Sequence, residues 1–140
     1  MTNVLKRYGF ASEDAHQTAA MLLRISLGLL FLAHAGLKIF VFTPAGAAGY
    51  FGPLGLPGGL AYLTIAAEVL GGIALIIGFQ TSLVSLALVP VLLGAAVLAH
   101  GPNGFWFNNE GGGWEYPAFW ALALLVQSLL GGGKFAVTKD

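Results

Sequence analysis

Apolar and polar positions are segregated into long blocks along this chain. Four apolar blocks, at about residues 19–42, 60–78, 83–99 and 117–130, are separated by stretches rich in Gly, Pro and aromatic residues. About 20 apolar residues at 1.5 Å each cover a hydrocarbon core of about 30 Å, so each block is expected to be a membrane-crossing helix, the last one somewhat short. The pattern predicts an all-α integral membrane protein folded as a four-transmembrane-helix antiparallel bundle.

The first block, AAMLLRISLGLLFLAHAGLKIFVF, has a finer pattern. At 100° per residue, with Arg24 at zero, Lys38 falls at about −40° and His34 at about −80°, so the three share one stripe with Leu27, Gly28, Phe31 and Ala35. Leu22, Leu29, Ala33 and Phe40 occupy the opposite sector and suit lipid. A cation at the bilayer centre costs about 2.5–3.5 kcal/mol on insertion scales, so the polar stripe should face protein or water and find partners.

Local signals punctuate the blocks. Ser12 before Glu13 and Asp14 reads as an N-cap with acids in the first turn, so the first helix should begin near Glu13. Thr43 and Pro44 suit the N-cap and first position of a short helix before the loop at residues 52–59. Gly78 should stop the second helix, Thr81 or Ser82 should cap the third, and Pro90 should kink it. Residues 1–18 are expected to form a cytoplasmic N-terminal arm and helix start, 19–137 the membrane domain and 138–140 a C-terminal tail.

Composition strengthens the membrane reading. Of the 140 residues 57% are hydrophobic and 9% charged, where soluble domains carry about 25% charged residues. Mean hydropathy is +0.83. Six basic and six acidic residues give zero net charge without a basic cluster, so membrane lipid and not nucleic acid is the expected surrounding. The absence of cysteine excludes disulfides, Cys-ligated zinc, Fe–S ligation and a dithiol relay within this chain. The first apolar run is too long for a cleaved leader and is expected to be retained. Lys6, Arg7, Lys134 and Lys139 flank the outermost blocks, while the first and third loops hold neither Lys nor Arg, which places both termini in the cytoplasm of a bacterial inner membrane.

Depth along the spans supplies the candidate chemistry. His34 lies about 12 Å and Lys38 about 6 Å inside the outer end of span one, and Glu68 about 12 Å below the outer end of span two. His100 ends span three and Glu115 begins span four, so His34, Lys38, Glu68, His100 and Glu115 are expected to converge on the outer half of the bundle. Glu68 shares a small-residue stripe with Ala61, Thr64, Gly71 and Gly72, which turns it inward. Lys38 and Glu68 either form an ion pair that locks two helices or belong to a ligand or proton site. Arg24, about 21 Å from Lys38, is expected to bond Gln127 on the cytoplasmic side, to snorkel to headgroups, or to bind an acidic or quinoid group there. The spacing of His34, His100, Glu68 and Glu115 is diagnostic of no metal or haem, and both cofactors are disfavoured.

Arg24 and Gly28, then HAGLK at 34–38, GLP at 55–57, Glu68 with Gly71 and Gly72, Gly78, and the segments HGPNGFWFNNEGGGWEYP and GGGKFAV resemble DoxX-type membrane proteins over roughly residues 19–137. The resemblance implies a four-helix membrane protein. The family's relation to the DoxD subunit of thiosulfate:quinone oxidoreductase implies a redox setting, with Arg24, His34, Lys38, Glu68 and Glu115 as functional candidates. The leading reading is a redox-associated subunit that binds a quinone or another small ligand in the outer polar pocket, with a redox partner subunit or a bound cofactor supplying the electron carrier that one bundle lacks; a homo-oligomer is a further expected partner. Whether the chain alone is an enzyme is left open. A small transport or channel module and a scaffold that recruits soluble oxidoreductases are the alternatives.

Overall fold

The computed structural model describes residues 2–140, and among them there is no strand. The N-terminal arm is partly helical: α1 spans Thr2–Arg7. Helix α2 spans Glu13–Gly36 and begins where the cap signal places it, with Ser12 Oγ accepting a hydrogen bond from Ala15 N–H. It widens into a π-helical turn at Leu37–Val41, so the helical stretch from Glu13 to Val41 is 29 residues long. The face predicted to be inward is buried, including Ala20, Arg24, Leu27, Gly28, Phe31 and Ala35. Leu22, Leu29, Ala33 and Phe40 on the opposite face are exposed.

Thr43 Oγ1 accepts from Gly46 N–H at the start of α3 (Pro44–Phe51), which packs against α4 (Gly59–Ile77). Gly78 stops α4 in the left-handed conformation, φ +74°. After a short turn α5 (Thr81–Gly94) runs through Pro90 and widens into a second π-helical turn at Ala95–Ala99. The last helix, α6, spans Glu115–Leu130. Three helical stretches, Glu13–Val41, Gly59–Ile77 and Thr81–Ala99, are long and apolar enough to cross a membrane; α6 is apolar but shorter.

Helix α2 packs on α4, α4 on α5, α5 on α6, and α6 back on α2. Two adjacent glycines make two of these contacts. A Cβ on Gly72 would lie 3.0 Å from the Gly28 carbonyl oxygen of α2, and a Cβ on Gly71 would lie 2.8 Å from Leu88 Cδ1 of α5. The bare backbone at these positions lets α4 approach both neighbours closely. Leu27, Phe31, Leu75, Leu88, Leu92, Trp120 and Leu124 fill the space between the helices. Lipid tails are as apolar as leucine, so these contacts stabilise through close packing and dispersion.

The cap of α5 departs from expectation. Neither Thr81 nor Ser82 supplies it: Gln80 is the cap residue and makes no side-chain cap bond. The orphan N–H groups are met from the end of the chain instead. Gln80 N–H donates to Thr138 Oγ1 (2.6 Å) and Ser82 N–H to Asp140 Oδ2 (2.8 Å). Val137 N–H and Thr138 N–H donate to the carbonyls of Ile77 and Gly78, so the tail lies across the α4–α5 turn. We call this the tail end of the bundle, and the opposite end, closed by residues 100–114, the loop end.

Candidate functional site

The loop end gathers most of the polar residues singled out above. Every Cα–Cβ bond in a helix tilts toward the helix N-terminus, so Lys38 reaches back along α2 toward the middle of α4. There Glu68 is 5% exposed, held inward by the small-residue stripe of α4. Lys38 Nζ donates to both carboxylate oxygens, at 2.9 Å and 3.0 Å. This is a charge-assisted, two-point contact between α2 and α4. The π-helical turn of α2 begins one residue before Lys38, and such turns recur at functional sites.

His34 lies one turn before Lys38 and is half-buried. Its ring meets Trp120 of α6 edge to face, with centroids 4.9 Å apart, and Trp120 in turn packs on Phe31 at 4.7 Å. Trp120 escaped the sequence reading because an aromatic on an apolar helix carries no polar signal. Its indole Nε1 is buried and has no hydrogen-bond partner among the described residues. An unpartnered buried donor costs about 1–3 kcal/mol, so this is a group that a bound acceptor would satisfy.

His100 and Glu115 reach the same end but are engaged by the loop. A backbone carbonyl can only accept, so the 2.9 Å contact of His100 Nδ1 with Gly112 O makes Nδ1 the donor. With the ring neutral, Nε2 then accepts from Tyr116 O–H at 3.0 Å, which fixes the tautomer and occupies both ring nitrogens. Glu115 Oε1 accepts from Phe107 N–H at 3.1 Å. Asn103 and Asn109 add side-chain bonds to Gly112 O and Asn103 O, so the glycine-rich loop is a closed, internally bonded cap. The structure thus joins Lys38 to Glu68 and sets His34 beside Trp120, while His100 and Glu115 bond to loop residues.

Arg24 at the tail end departs from expectation. It is 2% exposed and bonds no side chain. Its guanidinium donates to the backbone carbonyls of Leu75 (3.0 Å) and Ile76 in the last turn of α4, and of Gly132 (2.7 Å) and Lys134 (2.8 Å) in the tail. The expected Arg24–Gln127 bond is absent. Gln127 instead donates through Nε2 to Ala20 O and Gly131 O. The physical reason is that the last carbonyls of a helix are orphaned and carry partial negative charge, and a planar five-donor group fits them well.

The DoxX family profile matches residues 19–101. A curated protein of Bacillus subtilis (strain 168), named "Putative oxidoreductase CatD", is 33% identical over 98 residues, which cover 70% of this chain and 72% of that protein. No solved structure matches. The matched region carries Arg24, Gly28, His34, Lys38, Glu68 and Gly72, the residues that hold α2 to α4 and build the loop-end site. The chain belongs to the DoxX family.

Proposed function

We propose that this DoxX protein is a redox-associated subunit of a bacterial inner membrane that binds a quinone, or a small ligand with similar carbonyl acceptors, beside the Lys38–Glu68 pair. The observation that carries this reading is the adjacency of a two-point contact between part-buried Lys38 and buried Glu68 to His34 and to the unpartnered indole N–H of Trp120. Ionisable groups within membrane spans mark ligand, ion and proton paths by default. In this reading His34 and Trp120 donate hydrogen bonds to a ligand carbonyl. Reduction of a quinone consumes protons as well as electrons, and Glu68, released from Lys38, carries a proton to the reduced oxygen. The electrons come from a partner subunit, since the chain's side chains provide no electron carrier. The name of the B. subtilis relative is in keeping with a redox setting.

The same proposal places four crossings in the membrane with both termini in the cytoplasm. Helix α6, at 16 residues, covers about 24 Å, and Trp114 and Tyr116 at its start suit the headgroup level.

Gentle solubilisation followed by native mass spectrometry and solvent extraction tests the binding claim. A stoichiometric quinone in the wild type that falls at least tenfold in Glu68→Gln supports it. A protein empty of small molecules in both forms leaves Lys38–Glu68 as a lock between helices and points to the scaffold alternative.

A further inference from the structure

A cleft opens at the loop end, and Lys38, Glu68, His34 and Trp120 are not among its lining residues. It is an open, shallow cleft of about 470 Å³, lined by Phe105, Trp114, Glu115, Tyr116 and Phe119, whose aromatic side chains are all exposed. Four of these five side chains are aromatic. Trp114 meets Phe105 edge to face at 4.9 Å, which sets one corner of the wall, and the Tyr116 hydroxyl is fixed by its bond to His100. The remaining residue is a carboxylate. Glu115 is engaged through Oε1 by Phe107 N–H, and among the described residues the ion pairs are Lys38–Glu68 and Lys134–Asp14, so Glu115 has no cation of its own.

Aromatic faces carry negative quadrupole charge and attract organic cations, and the attraction grows when a carboxylate stands beside them and water is partly displaced. The cleft is within the size range of small-ligand sites. Its carboxylate disfavours anions; of its two donors the Tyr116 hydroxyl is already spent on His100, and the other is the Trp114 indole N–H. We propose that this cleft binds an alkylammonium group. Its place at the first turn of α6, with Phe119 70% exposed on the outward face, suits the primary ammonium of a lipid headgroup whose tails run down the outside of the helix. A soluble alkylamine offers the same chemistry.

The full chain in nanodiscs of phosphatidylethanolamine and phosphatidylglycerol in equal amounts separates these sources. Native mass spectrometry should find the ethanolamine lipid retained at least fivefold over the glycerol lipid, and Glu115→Gln should abolish that preference. The amide still accepts from Phe107 N–H, so the thermal midpoint should not move. Phe119→Leu, which removes one wall at an exposed position, should weaken retention severalfold and controls for any folding defect of the first variant. Without a lipid preference, saturable binding of ethylammonium to detergent-solubilised protein, lost in both variants, would keep the chemistry and assign a soluble amine. The absence of both, or binding unchanged by Glu115→Gln, would overturn the proposal.

Discussion

Lys38 of α2 donates to both oxygens of Glu68 of α4 across the bundle, at 2.9 Å and 3.0 Å, and Glu68 keeps almost no exposure of its own. Removing one partner of such a pair leaves a charge without compensation, which costs far more than the net contribution of the intact pair. Glu68→Ala should therefore destabilise the protein by about 3–5 kcal/mol, with much of the loss recovered in the Lys38→Met/Glu68→Ala double variant. A double-mutant cycle on unfolding in detergent measures this. Additive losses would show that the two residues do not stabilise each other.

Gly28 and Gly36 lie on the same helix in opposite circumstances. A Cβ on Gly28 would meet Gly72 O at 2.6 Å and Ile76 Cγ1 at 2.7 Å, whereas a Cβ on Gly36 would meet only Phe40 Cδ2 at 4.0 Å. Gly28→Ala should push α2 off α4 and cost about 1–3 kcal/mol. Gly36→Ala should be neutral or stabilise by up to about 1 kcal/mol, because alanine restricts the unfolded chain. Equal effects of the two substitutions on the thermal midpoint would contradict the close α2–α4 approach.

Arg24 ties the tail to the end of α4 through four backbone carbonyls. Lysine keeps the charge but cannot present a planar fork to acceptors on two segments. Arg24→Lys should cost about 3 kcal/mol or more, since hydrogen bonds to charged groups contribute about 1.5–3 kcal/mol each. It should also free the tail. Limited trypsin digestion should cut after Lys134 several times faster in the variant, and an unchanged rate would show that the tail is held by other contacts.

Much of the fold was legible in the sequence, and the failures share a cause. Ser12, Thr43 and Gly78 mark helix ends through short-range side-chain or glycine signals, and the structure uses each as such. The inward stripe of α2 follows from helical angle, and the reach of Lys38 to Glu68 from the rise per residue together with the small-residue stripe that turns Glu68 inward. The partners of Arg24 did not follow, because they are backbone carbonyls that every sequence possesses. The cap of α5 was missed because Thr138 and Asp140 supply it from 58 residues away. Depth arithmetic brought His100 and Glu115 to the right end, but it does not see loop backbone, and Gly112 O and Phe107 N–H are what they bond. Trp120 became visible only as a neighbour of His34.

The central claim is that the Lys38–Glu68 site with His34 and Trp120 holds a carbonyl-bearing ligand, and the most direct test is titration of the purified protein with a short-chain quinone. Indole N–H resonances of isotope-labelled protein report it, and Trp120→Phe assigns the signal of Trp120 by its disappearance. The account predicts saturable binding that shifts the Trp120 signal more than those of Trp106 and Trp114, and an affinity reduced at least tenfold by Glu68→Gln. Absence of saturable binding, or binding that leaves the Trp120 signal unmoved, would contradict it.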